Sequence, residues 1–312
     1  MNSKSITLET KALFSLTLVV FFWGFTFPLI HFSINNIDPI GFVFIRFMLA
    51  AVLLIPFVVG SFKKINITLL LISSLLGLCN FIVFGAQTIG LEKIEPNESA
   101  FITSASVIFV PWLAWLFRMG KPTKIELVSV FLGVIGLYYI TGAYHYGFLT
   151  HEAVVGIFYT ICSAIFIALS IIIIQYATDN LKQQPLLLAF FQIVFTAIPA
   201  LFFFHHIQFS KIIQWHIFRA ILFCSIFATA LAFVLQSRMQ KYISPVRVAL
   251  IFCLEPIFAV ICTLLFFHHP LTNSIYFGGS IIILSILLPD YYPRFKKLFF
   301  NYRRLNENCD NN

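Results

Sequence analysis

The chain alternates long apolar runs with short polar interruptions from one end to the other. A helix needs about 20 apolar residues to cross the hydrocarbon of a bilayer, and somewhat fewer where the membrane thins. Ten runs of about that length predict ten transmembrane helices, over residues 12–32, 39–60, 67–91, 97–118, 124–142, 153–176, 185–204, 217–238, 245–267 and 272–288. The interruptions carry helix breakers: Asp38-Pro39, Lys63-Lys64, Glu95-Pro96-Asn97, Lys121-Pro122, Gln183-Gln184-Pro185, Ser244-Pro245 and His269-Pro270. Asp38 and Thr123 stand where N-caps are expected. Met1–Lys11 is short, and the run after it lacks a small-residue cleavage site, so it reads as the approach to a first membrane helix rather than a removed leader. After Pro289 the pattern turns polar. Tyr291 and Tyr292 suit an interface, Arg294–Lys297 and Arg303-Arg304 suit anionic lipid, and Asn306–Asn312 reads as disordered.

The pattern also occurs twice. Shifted by 149 residues, the stretch Phe84–Thr123 meets Phe233–Thr272 with eleven identities in 40 ungapped positions, among them Phe84/Phe233, Gln87/Gln236, Pro96/Pro245 and Ala100/Ala249. A repeat this long is not a solenoid unit. In an apolar chain it marks two related halves. The domains read as residues 1–142 and 153–288, five helices each, followed by a basic tail over 289–312.

Composition narrows the class. Hydrophobic residues make up 60% of the chain and charged residues 10%, against about a quarter charged in a soluble domain. The mean hydropathy is +0.95. The fold class is therefore an all-α polytopic membrane protein. The net charge of +8 sits between apolar runs and at the C-terminus. No basic face follows phosphates, so no nucleic-acid partner is expected; membrane lipid is. The six cysteines show neither CxxC nor Cys/His ligand spacing, and they read as small apolar residues with no disulfide, metal or cofactor role.

Charge also orients the helices. With ten spans both termini share one side, where Lys4, Lys11, Lys63, Lys64, Arg118, Lys121, Lys124, Lys182, Arg238, Lys241, Arg247, Arg294, Lys296, Lys297, Arg303 and Arg304 fall. The other side holds Lys93, Lys211 and Arg219. That bias predicts cytoplasmic termini. Five spans per half is an odd number, so the halves must be inverted. Their loops agree: Glu92–Glu98 faces out and is acidic, while its mate Arg238–Arg247 faces in and is basic.

Trp23-Gly24, Arg46-Phe47 with Ala50, Gly90-Leu91, Ser99-Ala100-Phe101 and Pro111 in the first half carry a resemblance. So do Gln236, Ser244-Pro245, Ala249-Leu250 and Leu254-Glu255-Pro256 in the second. With these motifs in this order the chain resembles the drug/metabolite transporter superfamily, EamA branch, over about residues 12–288. It departs from the family at Gly120 and His269, where members often carry a turn glutamate, although Pro122 and Pro270 remain. The resemblance implies a carrier in a bacterial inner membrane, often exporting amino acids or other metabolites. It names no substrate.

Polar side chains inside hydrocarbon are costly and should face a cavity or another helix. Asn80, Phe84 and Gln87 share a face in the third span; Thr229, Phe233 and Gln236 repeat it in the eighth. The fourth span offers Ser99, Thr103 and Ser106, and its counterpart offers Phe252 and Glu255. The sixth has Tyr159, Ser163, Phe166 and Ser170, and the first has Trp23 and Thr26. Converging, these stripes would line a cavity for a small, partly apolar solute. The candidates are Trp23, Asn80, Gln87, Thr103, Ser106, Tyr159, Ser163, Gln236 and Phe252. The plain alternative is that Ser and Thr join helices or bond their own i−4 carbonyls.

Glu255 is the only carboxylate well inside a span. An ionised group there costs at least about 2.5–3.5 kcal/mol, which makes it the coupling candidate, with a structural ion pair as the alternative. Pro256 after it frees a carbonyl one turn earlier. Arg46 is expected to snorkel to headgroups, with anion attraction as its sharper alternative. Gln192 reads as structural. Trp112 and Trp115 read as interfacial, and His205-His206 and His268-His269 as loop ends without a metal.

No nucleophile elbow, Walker loop, HExxH or paired carboxylate points to an enzyme. The reading is a secondary carrier working by alternating access, exporting an amino acid or similar solute and coupled to protons through Glu255. One alternative is an uptake carrier or exchanger for a nucleotide-like metabolite. Another, of a different class, is a non-transporting lipid-handling or assembly protein. A monomer would suffice, and a homodimer stays open.

Overall fold

The computed structural model describes residues 3–34, 37–140, 150–203, 209–267 and 273–309. The two histidine pairs lie outside the described residues, and so do the side chains from 293 onward. Among the described residues everything regular is helical. The helices are α1 (Ser3–Ile34), α2 (Pro39–Val58), α3 (Ile67–Leu91), α4 (Pro96–Ser104), α5 (Ser106–Leu116), α6 (Lys124–Ile140), α7 (His151–Asp179) and α8 (Pro185–Phe203). They continue with the single turn α9 (Phe209–Ile212), then α10 (Trp215–Ser225), α11 (Ala232–Met239), α12 (Pro245–Phe252), α13 (Glu255–Phe267) and α14 (Asn273–Cys309).

Among the described residues eight stretches are long and apolar enough to cross a membrane: Thr7–His31, Pro39–Lys64, Ile67–Leu91, Pro96–Leu116, His151–Asp179, Pro185–Phe203, Trp215–Tyr242 and Pro245–Leu265. A shorter apolar helix covers Asn273–Pro289. The chain is thus a multi-pass membrane protein. Large apolar side chains such as Phe14, Phe57, Phe131, Phe158 and Phe202 stand exposed on the outside of the bundle, as a lipid-facing surface requires.

The helix starts follow local chemistry. Asp38 accepts from the Gly41 amide and Asn66 from the Leu69 amide. Thr150 and Ser244 cap α7 and α12 in the same way. At the far end, α14 runs on to Cys309, into the segment expected to be disordered. The sequence gives a reason: Phe295, Leu298, Phe299, Tyr302 and Leu305 keep helical spacing between basic residues.

Packing is organised by the repeat. Helix α3 lies along α7 and α8, α2 along α8, and α14 along α6. Helix α1 lies along α11 and α13, and α4 and α5 pack on α7, α12 and α13. Exchanging helices that align in the repeat turns the α4–α13 pair into the α12–α5 pair, and both are packed. Some crossings are very close. A Cβ on Gly77 would sit 2.4 Å from the Phe195 Cβ and 2.6 Å from its backbone carbon. One on Gly24 would sit 2.5 Å from the Phe258 Cβ and 2.8 Å from the Glu255 carbonyl oxygen. Small residues at such points are the usual condition for tight helix contact in lipid.

Three spans expected to be continuous are interrupted. The fourth breaks at Ala105, between α4 and α5. The ninth breaks at Cys253-Leu254, between α12 and α13. Pro256 explains the second break, because it cannot donate to the Phe252 carbonyl. That carbonyl instead accepts from the Ser104 hydroxyl at 3.3 Å, at the end of α4. Each break therefore abuts the other. Replacing Ser104 with alanine leaves a buried carbonyl unsatisfied and is expected to cost about 1–3 kcal/mol, read as an earlier thermal unfolding in detergent; an unchanged midpoint would show the tie is dispensable. The third interruption is a π-helical segment, Ile226–Leu231, between α10 and α11.

Candidate functional site

The break in the ninth span borders a cavity. About 500 Å³ of atom-free space, open solvent at its mouth included, is lined by residues of α1, α3, α7, α11, α12 and α13, so both halves contribute. Its walls are Trp23, Thr26 and Phe27; Asn80, Val83, Phe84 and Gln87; Ile167, Ser170 and Ile174; and Phe233, Gln236, Phe252 and Glu255.

The aromatic wall is assembled by mates. Phe84 and Phe233, which align in the repeat, have ring centroids 5.9 Å apart, and each also meets Phe47, at 5.1 and 5.9 Å. Trp23 stands edge-on to Phe252 at 5.1 Å. Its indole Nε1 donates to the Ala228 carbonyl at 2.9 Å. Ala228 lies in the π segment, where the widened turn leaves carbonyls free for such partners.

Arg46 uses the same turn. Its Nε donates to Thr229 Oγ1 at 2.7 Å and its Nη2 to the Ala228 carbonyl at 3.1 Å. The guanidinium lies 4.7 Å from the Phe84 ring centroid. It is only 1% exposed, which overturns the expectation that it snorkels to headgroups. The lost hydration is replaced by two acceptors and the face of an aromatic ring. Arg46 stands behind the Phe84 wall and is not part of the cavity lining.

The polar wall is made of three separate hydrogen-bonded groups. Asn80 donates to Gln192 Oε1 at 3.2 Å and accepts from the Ser170 hydroxyl at 3.4 Å. Gln192 donates onward to Ser237 at 3.2 Å. Gln236 donates to Gln240 Oε1 at 3.1 Å, and Gln240 donates to the Ile171 carbonyl at 2.6 Å. Gln87 reaches Thr103 at 3.5 Å.

Of the residues singled out by pattern, Trp23, Asn80, Gln87, Gln236, Phe252 and Glu255 come together around one space. Thr103 stands one layer behind, through Gln87. Ser106 and Ser163 are buried, and their hydroxyls have no hydrogen-bond partner among the described residues. Tyr159 is half-buried beside Phe158. None of these four lines the cavity. Pattern reading did not single out Ser104, Ser237 or Gln240. Gln240 continues the Gln236 face by one more turn, a signal that was present but fell beyond the expected helix end. Ser104 carried no signal, because its partner is a backbone carbonyl in the other half.

Glu255 opens α13 and is 5% exposed. Among the described residues its carboxylate has neither an ion-pair nor a hydrogen-bond partner, although it lines the cavity. No lysine, arginine or histidine is among the lining residues. No cluster of three His, Cys, Asp or Glu able to hold a metal occurs among the described residues.

The basic end of the bundle is bridged between halves. Arg247 of α12 pairs with Glu9 of α1. The Ser244 hydroxyl donates to Glu126 of α6 at 2.9 Å, and Glu126 also receives the Thr123 amide and hydroxyl. At the other end His31 meets the Leu91 carbonyl at 2.7 Å. Just past α3, burial pushes the Glu92 carboxyl up; Lys93 opposes this and Asp38 adds to it.

Residues 10–142 and 154–289 each match the EamA-like transporter family. An uncharacterized transporter of Archaeoglobus fulgidus is 28% identical over 276 residues, covering 88% of this chain and 83% of that protein. The uncharacterized transporter YvbV of Bacillus subtilis is 26% identical over 290 residues, covering 90% and 92%. A solved crystal structure aligns with a TM-score of 0.67 at 12% identity, covering 92% of this chain and 97% of that one. At that identity the likeness is one of fold.

Proposed function

Because the chain belongs to the EamA-like transporter family, we propose that it is a secondary carrier with ten membrane spans in two inverted halves, working by alternating access around the central cavity. The observation that carries this reading is the cavity itself. It is shared by both halves, walled by mated residues, and holds one carboxylate with no protein partner. A solute of modest size with an apolar body fits such walls, an amino acid or similar metabolite among them. The function is export across a bacterial inner membrane, with both termini cytoplasmic, and protons exchange at Glu255. A nucleotide-like substrate is disfavoured, because the lining offers its phosphates no cation. A lipid-handling or assembly role would not require polar stripes that converge.

Purified protein in liposomes, loaded with labelled metabolite pools, tests the reading. A solute that moves only when a pH gradient is imposed supports it. No movement of any pool, by protein shown to be folded, refutes it.

In this reading the Glu9–Arg247 and Glu126–Ser244 contacts close the cytoplasmic end and must break during transport. Glu9→Lys sets like charges together and is expected to favour the state open to that side. The measure is alkylation of a single cysteine, Ser170→Cys in an otherwise cysteine-free chain, by an impermeant maleimide added from the cytoplasmic face. Labelling should accelerate by about tenfold, as an electrostatic change of about 1.4 kcal/mol would give. An unchanged or slower rate would remove these contacts from the gating step.

A further inference from the structure

We infer that the cavity is an organic-cation site: its ligand carries a single positive charge on an aromatic or branched apolar body and no carboxylate or phosphate. This rests on the carrier reading of the same cavity and narrows it to a substrate class, setting aside the zwitterionic amino acids that size alone admits.

Three observations converge. The first is Glu255, 5% exposed and on the cavity wall, with no protein donor or cation to neutralise it among the described residues. An uncompensated carboxylate held in an apolar bundle is costly, and a bound cation relieves that cost. The second is the aromatic lining. Trp23, Phe27, Phe84, Phe233 and Phe252 all border the same space, and aromatic rings attract ammonium groups. The third is what the lining lacks. A zwitterionic amino acid needs a donor set for its carboxylate as well as an acceptor for its ammonium group. The one buried guanidinium, Arg46, lies behind Phe84 and is engaged by Thr229 and the Ala228 carbonyl. The lining amides of Asn80, Gln87 and Gln236 each direct one N–H to a protein acceptor, on Gln192, Thr103 and Gln240, and what remains to them is neutral donors. The cavity therefore supplies a carboxylate and aromatic rings for a cation, and no positive charge to meet an anion.

The test uses three probes sharing one benzyl body, measured by equilibrium binding to the full chain in lipid nanodiscs. Benzyltrimethylammonium carries a fixed charge, N,N,N-trimethylphenylalanine adds a carboxylate, and neopentylbenzene has neither charge. The expected order is the cation tightest, with the carboxylate-bearing probe weaker by tenfold or more, on the order expected for one unmet charged group. Glu255→Gln should weaken the cation on the order of 10- to 100-fold, as loss of a charged contact does, and leave neopentylbenzene unchanged. Phe252→Leu should weaken the cation by about two- to fivefold, through the lost ring face. Equal binding of the three probes, or cation binding indifferent to Glu255→Gln, overturns the inference. If Glu255→Gln fails to fold, the wild-type order of the probes decides alone. Flux measured alongside separates the two claims. Cation binding without any transport would overturn the carrier reading and keep the site. Transport of other solutes that the cation fails to inhibit would keep the carrier and overturn the site.

Discussion

Glu255→Gln is expected to reduce pH-gradient-driven transport in proteoliposomes to the level of protein-free liposomes, with the fold intact. The two halves of that expectation rest on different facts. The fold should survive because Glu255 has no protein partner to orphan among the described residues, so the usual penalty for removing one member of a buried pair does not apply. Glutamine keeps the volume and removes the cost of a buried charge, and unfolding should shift by less than about 1 kcal/mol, upward if at all. Transport should fail because no other lining residue is acidic, so nothing else in the cavity can trade charge for a proton. The check is solute accumulation with and without the gradient, alongside a thermal melt. Gradient-driven accumulation at the wild-type rate would make Glu255 structural and shift attention to Gln87 and Gln236, the amides that align in the repeat and face the same space.

Gly24→Val is expected to have the largest effect on assembly. Even the first carbon of a side chain at this position would lie 2.8 Å from the Glu255 carbonyl oxygen and 3.1 Å from the Ala259 amide nitrogen. Both are backbone atoms, which cannot rotate away. Overpacking a core typically costs about 1–3 kcal/mol where side chains can adjust; here α1 must move bodily from α13, so a loss of at least about 3 kcal/mol is expected. The displacement also pulls Trp23 from Ala228 and shifts Glu255, the residues on either side of the crossing. Lower yield of folded protein in membranes and a lowered melt are the measurements. A valine variant with wild-type expression and melt would mean that the two helices are not in contact at this point.

The membrane class and most helix positions were legible because both depend on composition and length over some 20 residues at a time, a signal no local detail can hide. Prolines marked the starts of α2, α4, α8 and α12. The convergence of Asn80, Gln87, Gln236 and Glu255 was legible in part, since helical spacing fixes which residues share a face. Spacing does not say how deep a face lies. Tyr159 and Ser163 share a stripe with Ser170, yet only Ser170 reaches the cavity, because α7 turns that part of its face toward other helices. Arg46 was misjudged for a related reason. Its distance from the helix end suggested headgroups, whereas its partners come from a π segment 183 residues away. A π turn follows from packing and leaves no mark in the residue pattern of Ile226–Leu231.

The Ser104 hydroxyl on the Phe252 carbonyl joins the two broken helices where each is weakest. In a carrier these are the places that would flex. A bend in one half then cannot alter its angle without pulling on the bend in the other. In the proposed carrier such a linkage favours synchrony, by about the 0.5–1.5 kcal/mol that one hydrogen bond contributes. The conformation in which one half has switched and the other has lagged, through which ions would leak and the driving gradient would dissipate, is the one this single bond makes hardest to reach.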